Sequence, residues 1–235
     1  MPDTERPQCA PNDYFTTDFE PHLSLPGFFP GAGGFFHSHA GGSKRILIFG
    51  TDFGPLEYQQ SLTAMGGEPE SNRTIANLRG VLNDAAIPLR DCFLTNSVLC
   101  LGKSRTDLLG LARYWKRDPA YIEACAEWHH GFISRHRPDA VVFMGTPPLL
   151  TFGRALFPAL ADHWRGYKSL NATYAAGRET FQPPGGPRVL LIPHASFWHV
   201  NATKYPKVAK QAVEHLRRLA RSRYGDGNGP AGPSS

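Results

Sequence analysis

The sequence predicts an α/β fold, a three-layer α/β/α sandwich around a central four-stranded parallel sheet. Three observations lead there. Four short, nearly continuous apolar runs, each closed by small or polar residues, read as strands buried on both faces. Segments with helical spacing separate these runs, and strands alternating with helices favour a parallel sheet covered on both sides. The 235 residues, 41% hydrophobic and 19% charged, suit one globular domain rather than a disordered or fibrous chain.

Residues 1–43 mix Phe28, Phe29, Phe35 and Phe36 with many Gly and Pro, a composition that opposes a long helix or a central strand. They are expected to form an arm packed on the core. The core domain is expected over 44–222, and a flexible Gly/Pro/Ser tail over 223–235. The first strand is Ile46-Leu47-Ile48-Phe49-Gly50. Ile75, Leu78, Val81, Leu82 and Ala85 then recur at helical spacing, and Pro88 ends that element. Residues 91–98 give the second strand. Asp118-Pro119 reads as an N-cap with proline at the first helical position, opening a helix with Ile122, Cys125, His129 and Ile133 on one face. The third strand is Ala140 to Gly145, with a helix after it, and the fourth is Val189 to His194. A last helix is expected from about Thr203 to Arg221, with Val208, Ala212, Leu216 and Leu219 turned inward.

No run approaches the roughly 18–20 apolar residues of a membrane span, and the N-terminus lacks a basic-then-apolar signal pattern. The expectation is a cytoplasmic, monomeric protein with no membrane partner. A net charge of +5 and a pI near 9.1 favour an anionic partner. Residues 188–223 hold eight Lys or Arg against the single acid Glu214, with Lys204 and Lys207 close behind the fourth strand. Cys9, Cys92, Cys100 and Cys125 show no short paired spacing, so buried reduced thiols are expected rather than a disulfide framework or a zinc site. The pair His129-His130 carries no ligand spacing and reads as surface or packing residues.

In open parallel sheets ligands bind beyond the carboxyl ends of the strands. That rule selects Gly50, Thr51, Asp52 and Phe53 after strand one, Asn96 and Ser97 at strand two, Thr146 after strand three, and His194-Ala195-Ser196 after strand four. A carboxylate there can orient water or balance a developing cation, and an imidazole can stabilise a departing anion. An amide offers a donor and an acceptor together, as reading the edge of a pyrimidine requires. Each residue also has an ordinary role open to it: Asp52 in a turn, Asn96 tying backbone, His194 as a satisfied structural histidine.

Three segments in this order resemble the uracil-DNA glycosylase superfamily. Gly50-Thr51-Asp52-Phe53-Gly54 resembles its water-activating loop, Phe93 to Leu99 the strand whose Asn reads uracil, and His194-Ala195-Ser196 its His-Pro-Ser signature. The resemblance implies Asp52 as the carboxylate that orients water and stabilises an oxocarbenium-like sugar, and His194 as the group stabilising the leaving base. It implies Asn96 on the base edge, Gly50 and Thr51 lining the base site, and Ser196 on a phosphate. Phe53 or Tyr58 would replace the usual stacking aromatic. Phe197 or Trp198 would fill the stack vacated by the flipped nucleotide, and Lys204 and Lys207 would meet phosphates. The partner implied is uracil-containing DNA, single- or double-stranded, and no metal or cofactor is expected. Phe53 stands where the family commonly has proline, Gly54 where its most uracil-restricted branch has a methyl-excluding tyrosine, and Ala195 where the signature has proline. In the branch with an iron-sulfur cluster four cysteines hold the iron; Cys100 and Cys125 resemble half of that set, and Cys9 has no nearby partner. Three rivals follow: a glycosylase for other damaged or mismatched bases, a catalytically silent DNA- or abasic-site-binding protein, and a metal-dependent hydrolase using Asp52, His194 and His199.

Overall fold

The computed structural model describes residues 14–16, 45–51, 71–97, 100–102, 119–145, 147–166 and 169–224. Its strands are β1 (Tyr14–Thr16), β2 (Ile46–Gly50), β3 (Cys92–Asn96), β4 (Cys100–Gly102), β5 (Ala140–Met144), β6 (Thr180–Phe181) and β7 (Arg188–Ile192). The central sheet runs β3-β2-β5-β7-β6, with the first four strands parallel and β6 antiparallel to β7. The expected four-stranded parallel sheet is therefore corrected to five strands and mixed direction. The added strand is two residues long, too short to leave a periodic signal, and it returns into β7 through a turn with Gly185 at φ +66°. β1 pairs antiparallel with β4 in a separate two-stranded ribbon.

The helices are α1 (Arg73–Asp84), α2 (Pro119–His136), α3 (Pro147–Leu156), α4 (Leu160–His163), α5 (Leu170–Ala175), α6 (Trp198–Lys204) and α7 (Pro206–Tyr224). Asn72 caps α1, its Oδ1 accepting the N–H groups of Thr74 at 2.8 Å and Ile75 at 3.4 Å. Ile75, Leu78, Val81 and Leu82 are buried, as their spacing predicts. The single last helix expected from Thr203 is two helices. Pro206 opens α7, and the residue before a proline is driven out of the helical region, so Tyr205 takes φ −136°, ψ 62° and breaks the run. Val208, Ala212, Leu216 and Leu219 do face the core.

The strand alternation sorts side chains onto two faces. Ile46, Ile48, Leu94, Val142, Met144, Leu190 and Ile192 pack with the buried faces of α1 and α7. On the other face Phe49 stacks on Phe143 at 5.4 Å, and Phe152 of α3 and Trp164 close around them. Phe49, Phe143, Phe152 and Trp164 are wholly buried, each stabilising the fold by roughly 1.5–3 kcal/mol. The chain leaves β2 for β3 on one side and then crosses to β5 on the other. The strand order thus reverses at β2, and the crevice such a reversal creates lies between the carboxyl ends of β2 and β5.

Candidate functional site

Asn96 ends β3 and His194 follows β7, and two strands lie between them. At a strand spacing near 4.8 Å their backbones are roughly 14 Å apart. Both side chains fold inward by one strand, each over a glycine. A Cβ on Gly50 would stand 2.2 Å from Asn96 Oδ1, so the amide occupies the space a side chain on β2 would fill. A Cβ on Gly145 would meet His194 Cβ at 3.0 Å and Cδ2 at 3.2 Å, and Gly145 also has φ +114°, which L side chains rarely adopt. Gly50 ends β2, and Gly145 directly follows the adjacent β5. The amide and the imidazole therefore converge on the crevice chosen by the strand order.

The two groups differ in what they leave open. Asn96 is 3% exposed, and among the described residues its Nδ2 has no hydrogen-bond partner. A buried donor without an acceptor costs about 1–3 kcal/mol, so the position favours a ligand that supplies one. His194 Nδ1 lies 3.2 Å from the Ser196 N–H and 2.6 Å from Ser196 Oγ. The backbone N–H can only donate, so Nδ1 accepts and Nε2 carries the proton. Burial lowers the His194 pKa and keeps the ring neutral. The loop is held from outside as well: Asn77 of α1 donates to the Ala195 carbonyl at 2.8 Å.

Ser97 fixes the exit of β2. Its N–H donates to the Gly50 carbonyl at 3.0 Å, and its hydroxyl lies 2.8 Å from the Thr51 carbonyl and 3.2 Å from that of Gly50. This aims the chain immediately before Asp52. Asp52, Phe53, Gly54, Tyr58 and Thr146 lie outside the described residues, as do Cys9 and most of the N-terminal arm and tail. Cys92 and Cys125 are thiols buried in the core.

The sequence put Ser196 on a phosphate; in the structure both its donors are directed at His194. Phe197 and Trp198, indistinguishable in the sequence, separate. Phe197 is 58% exposed, its ring centroid 6.2 Å from that of His194, while Trp198 packs against the aliphatic core. Lys204 and Lys207 are exposed, with Lys204 Nζ 5.5 Å from the centroid of the Tyr205 ring. His129, read from the sequence as surface or packing, is buried with Nε2 2.9 Å from the Asn96 carbonyl oxygen. Only its place on the inner stripe of α2 beside Cys125 and Ile133 signalled burial, and nothing in the sequence signalled Asn96 as its partner.

The family described as "Uracil DNA glycosylase superfamily" matches the chain over residues 38–217. A search of curated protein sequences returned no match.

Proposed function

The chain belongs to the uracil DNA glycosylase superfamily, and on that premise we propose that it hydrolyses the N-glycosidic bond of deoxyuridine in DNA, releasing uracil and leaving an abasic site. Membership makes DNA its partner and N-glycosyl hydrolysis of DNA bases its reaction class. The uracil reading is carried by one observation, the buried Asn96 amide seated on Gly50 with Nδ2 unpartnered among the described residues. Uracil presents an N–H donor beside a carbonyl acceptor along one edge. Asn96 Oδ1 accepts the first and Nδ2 donates to the second, whereas cytosine presents the reverse pattern and leaves both groups mismatched.

In this reading the neutral His194 donates Nε2–H to the base oxygen on which negative charge grows as the bond breaks. A neutral donor already fixed by Ser196 needs no reorganisation at that moment. Asp52 orients the attacking water and balances the oxocarbenium-like sugar. Gly50 and Thr51 line the base site, with Phe53 or Tyr58 stacking on the base. The target nucleotide must leave the duplex, at a cost of a few kcal/mol, and Phe197 enters the vacated stack. Lys204 and Lys207 hold phosphates. The enzyme works as a monomer without opening the backbone.

Gly54, in the place of the methyl-excluding tyrosine, favours a second reading that includes mismatched thymine. Matched oligonucleotides carrying U opposite G, U opposite A, single-stranded U and T opposite G separate the two. Release from the uracil substrates, reduced well over tenfold in Asp52→Asn and His194→Ala, is the expected result. Release from T opposite G as well makes the enzyme a broader mismatch glycosylase. No release from any substrate at stoichiometric protein overturns the proposal in favour of a DNA-binding role.

A further inference from the structure

His129 is a buried titratable group with no task in the proposed reaction. Its neighbour His130 is exposed, yet His129 is 1% exposed and points Nε2 at the Asn96 carbonyl from 2.9 Å. A carbonyl only accepts, so Nε2 carries the proton. Burial lowers the pKa of this ring to about 3, and it stays neutral at any working pH. Its orientation is fixed by packing: Phe49 meets it edge-on at 4.7 Å and 87°, and Phe152 at 5.5 Å and 86°.

The Asn96 carbonyl needs such a partner because of its place in the sheet. Gly50 bonds to Ser97, so in the alternation of a parallel ladder the carbonyl of Asn96 points away from β2. β3 is the outermost strand there, and no ladder lies beyond it among the described residues. The imidazole takes that carbonyl in place of a neighbouring strand. The same peptide plane leads on one side to the Asn96 side chain over Gly50 and on the other to Ser97, whose hydroxyl reaches the Thr51 carbonyl. Its tilt therefore sets both the amide and the exit of β2.

We propose that His129 is a positioning residue for base recognition, its Nε2–H fixing the Asn96 peptide so that the amide stands over Gly50 with Nδ2 directed to the base. The proposal rests on the reading of Asn96 as the base-reading group. His129→Leu keeps an apolar volume and removes the donor, while His129→Gln restores an N–H near the same point. Three readouts are compared in wild type and both variants: single-turnover base release from duplex with U opposite G, inhibition by free uracil, and affinity for abasic-site duplex. The expected result is a 10- to 30-fold loss of release in His129→Leu, a matching rise in the inhibition constant of uracil, and abasic-duplex affinity within twofold. In His129→Gln, release returns to within about threefold of wild type.

A merely structural role would lower uracil and abasic-duplex affinity together, and Gln would not rescue; that result overturns the proposal, as does wild-type behaviour of His129→Leu. If the wild type itself releases no uracil, the glycosylase reading has failed instead, and nitrogen–proton correlation spectra decide the present inference. The Asn96 side-chain NH2 pair should shift in His129→Leu and return in His129→Gln. An unmoved pair overturns it. Should His129→Leu not fold, His129→Gln and His129→Asn answer the same question, Asn being too short to reach the carbonyl and expected to lose what Gln keeps.

Discussion

The two halves of the crevice rim are built alike and finished differently. On the β2–β3 side a glycine makes room for Asn96, and the amide donor is left without a partner among the described residues. On the β5–β7 side a glycine makes room for His194, and the ring's acceptor nitrogen is already engaged by Ser196. One half keeps a donor unmet among the described residues, the other is held in a single tautomer by its own loop. On the proposed function the difference separates the two tasks: recognition would rest on a hydrogen bond left for the base, catalysis on one already made.

The largest effects should come from filling either seat. Gly50→Ala puts a methyl where Asn96 Oδ1 lies, 2.2 Å away, so the amide must leave the crevice. We expect base release to fall by two to three orders of magnitude with little change in melting temperature, since the side chain can swing out. Gly145→Ala adds strain at φ +114° to a close approach of 3.0 Å to His194, and should lose both activity and about 1–3 kcal/mol of stability. Thermal melts beside single-turnover rates distinguish them. If Gly50→Ala keeps its rate, Asn96 is not the base reader and the contrast between the halves collapses.

Acid should break the two halves in different ways. Protonation of His194 would place a second donor against the Ser196 N–H and end the neutral tautomer, so release should be flat above the ordinary histidine value of 6.5 and fall only at lower pH, because burial lowers the His194 pKa. His129, lowered to about 3, acts on stability instead. Between pH 6.5 and about 3 the unfolded chain binds a proton there that the folded chain refuses. Stability is therefore undiminished above 6.5 and declines as pH falls, by about 1.4 kcal/mol per unit for one such group. Urea unfolding at pH 7.5 and 5 should show this slope in wild type, smaller by nearly one proton in His129→Gln.

A smaller effect should follow Ser196→Ala. The variant keeps the backbone N–H on Nδ1 and gives up only the hydroxyl at 2.6 Å, so the tautomer survives with less restraint. We expect a three- to tenfold loss of release and an unchanged uracil inhibition constant, the signature of a change on the His194 half alone.

What the sequence made legible follows from the range of the forces involved. β2, β3, β5 and β7 could be read because strands buried on both faces carry nearly continuous apolar runs, and α1 because its inward stripe repeats at helical spacing. The two-residue β6 was silent, and the break at Tyr205 was hidden because Pro206 suits the start of a helix as well as it ends the previous one. Of the candidate site, the rim positions of Gly50, Asn96 and His194 followed from the strand ends. The hydrogen bond of His129 to Asn96 did not, since it joins residues 33 apart and depends on how α2 lies across the sheet. Phe197 and Trp198 are equivalent apolar neighbours until the turn over Ala195–Phe197 sends one outward and the other to the core.

The smallest expected effect belongs to neither half of the rim. Lys204 and Lys207 are exposed cations on α6 and at the start of α7, just behind the loop that carries His194 and Phe197. A lysine on a phosphate releases a condensed counterion and reads no base. Alanine at both positions should therefore weaken duplex binding three- to tenfold at low salt, equally for DNA with and without uracil. The slope of log affinity against log salt should become shallower by about 0.9 for each phosphate that is no longer neutralised. Asn96→Ala should do the reverse, reducing uracil inhibition and release while leaving the salt slope unchanged. If the lysine double variant alters the preference for uracil, phosphate positioning and base reading are not separable here, and the division of labour between β3 and the segment after β7 would have to be redrawn.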